Sequence, residues 1–202
     1  MLKVLVTGFE PFNGYAENSS WTVAEKVAAS NIDGVTIVAE RLPVSFRRVG
    51  AYISDAVAKY NPDIVIMLGQ SAGIDYIKLE RIAINMMDSI NADNDNFVPN
   101  EEPINKETPA ALFTNFPIKQ VYRCILDKGY PVKISNSAGL YVCNCLYYAM
   151  LMLCNEHPPV KALFVHLPCY TGQYNLKEGT LTMPLEIMVE TVKIVIEEGD
   201  NI

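Results

Sequence analysis

Short apolar runs alternate with helix-length segments along almost the whole chain. Strand-like runs fall at 3–7, 35–39, 63–68, 132–134 and 162–166, and 77–85 also reads as extended. Between them lie segments with helical periodicity at 21–30, 46–60, 117–128, 140–154 and 185–198. In 46–60 the residues Val49, Ile53, Val57 and Tyr60 share one face. Continuous apolar runs belong to strands buried on both faces, and helices of this length between them make βαβ units. The pattern predicts one α/β domain over residues 1–202, a three-layer sandwich with a mostly parallel twisted sheet and helices on both faces. Ligands in such folds sit at the carboxyl ends of strands. Attention therefore goes to 8–14, 69–73, 135–143 and 166–172. The polar, Asn- and Pro-rich segment 91–116 is too long for a plain connection, and loops of that length are usually functional or mobile.

Composition excludes several classes. A chain of 202 residues, half of them apolar, can bury a core without disulfides or metal. Sixteen basic against 23 acidic residues, net −7, argue against a nucleic-acid partner. Five cysteines with no C-x-x-C pair exclude a zinc ribbon. Met1-Leu2-Lys3 runs straight into a strand with no basic leader region, so a reduced cytoplasmic protein is expected. The uncharged stretch 134–155 begins with polar residues and is interrupted by Asn144. It reads as a buried helix over 140–154, and no membrane partner is expected.

Few residues can carry chemistry. The loop Gly8-Phe9-Glu10-Pro11-Phe12-Asn13-Gly14 lacks a phosphate-cradling pattern and offers two aromatics instead. Gly69-Gln70-Ser71-Ala72-Gly73 matches the nucleophile elbow of serine hydrolases, which makes a hydrolase using Ser71 an alternative. That elbow needs a helix directly afterwards, and residues 74–79 look like a strand. His157 lies in a polar loop, whereas His166 ends a strand. Cys143 and Cys145 lie about 200° apart on a helix, so only one can face a given pocket. Cys143 is nearer the helix start, where the dipole favours a thiolate and the backbone amides are free to donate to an oxyanion. Cys145, Cys124 and Cys154 read as packing, and Cys169 is a weaker rival. Glu80-Arg81 interrupts an apolar extended segment. A buried charge must be paired, either with its neighbour at a sheet edge or as a carboxylate orienting a histidine.

Several motifs, in order, resemble the pyroglutamyl-peptidase I family, also called pyrrolidone carboxyl peptidases. They are Val6-Thr7-Gly8-Phe9-Glu10-Pro11-Phe12, Asn18-Ser19-Ser20-Trp21, Leu42-Pro43-Val44 and Gly69-Gln70-Ser71-Ala72-Gly73. Glu80 to Asn85, Asp93-Asn94, Ser135 to Asn144 and His166-Leu167-Pro168 continue the match. The resemblance implies a cysteine peptidase that removes an N-terminal pyroglutamyl residue through a thioester. It places the catalytic residues on Cys143, His166 and Glu80. It implies an apolar substrate pocket from Phe9, Phe12, Val44, Tyr141 and Val142, with Asn18 and Gln70 lining the same site. It implies pyroglutamyl peptides as partners, no metal or cofactor, and a homo-oligomer, often a tetramer. Two positions depart from the family pattern: Ile74 and Ile90 stand where arginines are usual. Losing one preorganised oxyanion donor typically costs about 10²–10³ in turnover. Ile90 is thus expected to give a slow enzyme, or a non-catalytic relative that binds a small cyclic amide or peptide end.

Overall fold

The computed structural model describes residues 1–156 and 159–200, so His157 lies outside the described residues. In chain order the elements are β1 (Leu2–Phe9), α1 (Ser19–Ala28), β2 (Val35–Leu42), α2 (Val49–Tyr60), β3 (Ile64–Gln70), β4 (Ile77–Glu80), β5 (Ile82–Ile84) and β6 (Ala111–Phe113). There follow α3 (Ile118–Asp127), β7 (Val132–Ser135), α4 (Val142–Glu156), β8 (Lys161–Leu167), β9 (Cys169–Tyr170), β10 (Thr182–Met183) and α5 (Leu185–Asp200). The main sheet has the order β2-β1-β3-β8-β4-β7. Its strands pair in parallel except where β4 meets β8.

The unbroken apolar runs are explained by burial on both faces of this sheet. Ile64, Ile66 and Leu68 of β3 enter one core, and Val65 and Met67 enter the other. β8 divides Leu163 and Val165 from Ala162 and Phe164 in the same way. Val23, Val121 and Val192, from α1, α3 and α5, complete the first core. Ile53 from α2 and Leu146 and Met150 from α4 complete the second. Helices therefore cover both faces, as the alternation predicts.

Three expected elements differ in detail. The extended segment 77–85 is two strands in two sheets, broken at Arg81. The Arg81 amide donates to Ser135 O, extending the pairing with β7, while its carbonyl accepts from Thr114 and leads the chain toward β6. Helix α2 begins at Val49 and not at Phe46, because Asp93 captures the Phe46 amide at 2.9 Å. Helix α4 begins at Val142, after Gly139 has turned the chain with φ 79°. Segment 91–116 is stitched down: Met87 bridges Glu102, and the Asn85 side chain bonds Asn105 and Thr108. No helix among the described residues is long and apolar enough to cross a membrane.

Candidate active site

The sheet register brings Glu80 to His166. In the antiparallel β4–β8 pair, Glu80 stands opposite Phe164 and Lys78 opposite His166. Opposed residues share a face, and so do residues two apart, so Glu80 lies diagonal to His166 on the α4 side. The Glu80 Oε1 to His166 Nδ1 distance is 2.8 Å, with Glu80 fully buried and His166 7% exposed. Since a carboxylate only accepts, Nδ1 carries the hydrogen. No ion pair joins Glu80 to Arg81 among the described residues.

Cys143 is the second residue of α4, in its first turn. Its side chain lies close enough to His166 to favour the charged imidazole. Burial disfavours the imidazolium, but the hydrogen bonds and charges of Cys143 and Glu80 outweigh it. The His166 pKa is pushed up from 6.5 to about 9. Gly69 stands opposite His166 on the other flank of β8. A Cβ there would lie 2.8 Å from the Phe164 ring and 3.0 Å from Cys143 Sγ, so glycine is what lets the sulfur approach the sheet. The amides of Val142 and Cys143 have no protein acceptor among the described residues, while Asn144 and Cys145 donate back to Tyr141 O. These are the free donors of a helix start.

Beside the sulfur, Phe9, Phe12, Asn18, Val44, Gln70, Tyr141, Val142 and Cys143 line one narrow cleft. Tyr141 packs near Phe12, ring centroids 6.2 Å apart, and edge-on to Phe46 at 5.0 Å. The Asn18 side chain caps α1 through the Ser20 amide and also donates to Glu10 O. Glu10 Oε1 accepts from Val44 N and Asn94 Nδ2, and Tyr141 donates to Ala92 O. Asp93 accepts from the amides of Phe46, Asp95 and Phe97. The loops at 9–14, 43–46 and 91–97 thus form one hydrogen-bonded frame around the slot. Sequence reasoning singled out neither Glu10 nor Asp93 for this work; the only signals were a charge in an aromatic loop and the Asp93-Asn94 match.

The rivals fall elsewhere. Ser71 does not line the cleft, and its amide donates to Leu167 O. A turn through Gly73 (φ 86°) follows it, with no helix. Cys145 faces the core, where burial pushes its thiol pKa up, and burial does the same to Cys169. Ile90 lies away from these residues. It is 97% exposed and absent from the cleft, because Ser89 Oγ bonds both the amide and the carbonyl of Asn91 and turns Ile90 outward. Ile74 is buried, 8% exposed.

The similarity to known proteins spans the chain. A family profile described as pyroglutamyl peptidase matches residues 2–200. The pyrrolidone-carboxylate peptidase of Thermosipho melanesiensis is 40% identical over 186 residues, covering 92% of each chain. That of Thermococcus onnurineus is 36% identical over 197 residues, covering 97% of this chain and 98% of its own. The crystal structure of Bacillus amyloliquefaciens pyroglutamyl peptidase I superposes with TM-score 0.92 at 33% identity, covering 98% of this chain and 97% of that one. The pyrrolidone carboxyl peptidase from Thermococcus litoralis gives 0.93 at 31%, covering 100% and 94%. With the family profile matched nearly end to end, the chain belongs to the pyroglutamyl peptidase family.

Proposed function

We propose that this enzyme removes an N-terminal pyroglutamyl residue from peptides, with Cys143 as nucleophile, His166 as proton carrier and Glu80 as orienter. The observation that carries the reading is the convergence of a thiol, an imidazole and a carboxylate beside an apolar slot. His166 gives its Nδ1 hydrogen to Glu80, which leaves Nε2 for the thiol proton. The Cys143 sulfur then attacks the carbonyl joining the lactam ring to the next residue. Negative charge forms on that oxygen, where the unpartnered amides of Val142 and Cys143 can receive it. His166 returns the proton to the leaving amine, the C–N bond breaks, and a thioester remains. Water, deprotonated by the same imidazole, hydrolyses the thioester and restores the thiol.

A pyroglutamyl end carries no α-amine, so a slot of Phe9, Phe12, Val44 and Val142 suits it without a counter-charge. The same reading makes the protein a cytoplasmic homo-oligomer, supported by its unpaired cysteines and by exposed apolar side chains such as Phe113. Light scattering on the purified chain tests the assembly. For the chemistry, Cys143→Ala abolishes hydrolysis of a pyroglutamyl chromogenic amide, while Cys145→Ala and Ser71→Ala retain it. Iodoacetamide labels Cys143 first. Preferential labelling of Cys169, or turnover by Cys143→Ala, sinks the assignment.

A further inference from the structure

We infer that Gln173 is a positioning residue: it fixes the polarity of the Gln70 side chain so that its donor end serves the lactam carbonyl of the substrate. The inference rests on the pyroglutamyl reading above and deepens it.

A glutamine amide can be turned either way, and its partners decide which. The Ser19 backbone amide, which can only donate, lies 2.7 Å from Gln70 Oε1. Gln173 Nε2 donates to the same oxygen at 3.0 Å. Gln173 is itself locked by two backbone groups that cannot reverse. Its Oε1 accepts from the Tyr170 amide at 3.1 Å, and its Nε2 also donates to Glu17 O at 3.3 Å. Direction is thus handed from main chain to Gln173 to Gln70. Turning Gln70 over would set its NH₂ against two other donors.

One atom of this relay is left over. Gln70 is 7% exposed and lines the cleft, and its Nε2 is buried with no protein partner among the described residues. A buried donor without an acceptor is costly, and that cost is recovered when a ligand supplies one. The ring carbonyl of a lactam is an uncharged acceptor on a small apolar ring, which matches a slot with mostly aromatic and aliphatic walls. Asn18 is a poorer candidate because its amide already caps α1 and bonds Glu10 O. A relay of fixed polarity also separates a lactam from a ring that lacks the carbonyl, since the latter leaves Gln70 Nε2 unpaired.

The test reverses the polarity with an isostere. Gln173→Glu keeps the acceptor for Tyr170 but presents oxygen to Gln70 Oε1. The expected result is a rise of about ten-fold in KM for a pyroglutamyl aminocoumarin, with kcat within about three-fold. Calorimetric affinity for 2-pyrrolidinone, which requires no turnover, falls by the same factor. In a Gln70→Met background Gln173→Glu adds nothing further, a coupling that a merely structural residue would not show. An unchanged KM, or the same loss in both backgrounds, overturns the inference. If Gln173→Glu does not fold, Gln173→Met removes the donor without reversing it, and a rise of about three-fold in KM is expected. Failure of the underlying reading looks different: the unmodified protein would not cleave the pyroglutamyl amide at all.

Discussion

The Tyr147 hydroxyl donates to the backbone carbonyl of Glu80 at 2.8 Å, one turn along α4 from Cys143. The helix that presents the sulfur therefore also holds the strand that carries the carboxylate bonded to His166. Tyr147 is fully buried, and burial pushes its phenol pKa up, so it remains a donor. In Tyr147→Phe the Glu80 carbonyl loses this partner inside the core. The expected cost is about 1–3 kcal/mol of stability, read by urea unfolding. A several-fold loss in kcat with KM little changed should accompany it, because the slot is built by other residues. An unchanged kcat would show that Tyr147 serves only stability.

Asn144 is the second polar handle of α4. Its side chain accepts from the Ile84 amide at 2.9 Å and donates to the carbonyls of Ile84 and Met86 at 2.7 and 3.0 Å. It stands in for a neighbouring strand along β5. Asn144→Leu orphans the Ile84 amide and the Met86 carbonyl, while the Ile84 carbonyl keeps the Met86 amide at 2.8 Å, so a loss of about 2–3 kcal/mol is expected in a denaturant titration.

The pH dependence follows from His166. Its folded pKa, about 9, lies above the ordinary 6.5. Between those values the native state holds a proton that the unfolded chain has released, so stability falls as pH rises. The contribution is complete below about 6.5 and gone above about 9. Thermal melts from pH 6 to 10 should show this decline in the unmodified protein and a flatter profile in His166→Ala. Equal slopes would mean that His166 does not hold the proton.

Gly69→Ala places a methyl group 2.8 Å from the Phe164 ring and 3.0 Å from the Cys143 sulfur. Neither is free to withdraw, since Phe164 is fully buried and Cys143 is on a packed helix. A displacement of about 1 Å at a reacting atom costs on the order of 10² in rate. Single-turnover kinetics should show that loss in acylation. Preserved acylation would mean that the sulfur has slack.

Ile90→Arg, in contrast, should leave kcat within about two-fold, because residue 90 is turned to solvent by the Ser89 bonds. A rise of about 10² in kcat would mean that an arginine here folds back onto the reacting centre.

What local sequence marks, and what it does not, has a physical dividing line. His166 and Cys143 stand out because strand ends and helix starts leave local signatures. Glu80 stands out because a charge inside an apolar run demands a partner. The reversal of β4 left no such trace, since its direction depends on pairing with β8, far along the chain. Asn144 looked like an interruption of an apolar helix, and only β5 packed against it explains it. Gln173 lies in an unpatterned run and acts on a residue 103 positions away. Such roles come from tertiary contact, which no window of sequence displays.

The β3–β4 turn, residues 71–76, illustrates how tolerance to change can split in two. Apart from buried Ile74 and from Gly73, held at φ 86°, the side chains there are free to vary, for none of them lines the cleft. Its length is another matter. Strand side chains alternate faces, so one residue gained or lost before β4 would slip the strand by one position. Leu79 or Arg81 would then point where Glu80 now meets His166. Families of such enzymes should drift in composition across this turn while conserving its residue count. Loop grafting into this protein should respect the same parity.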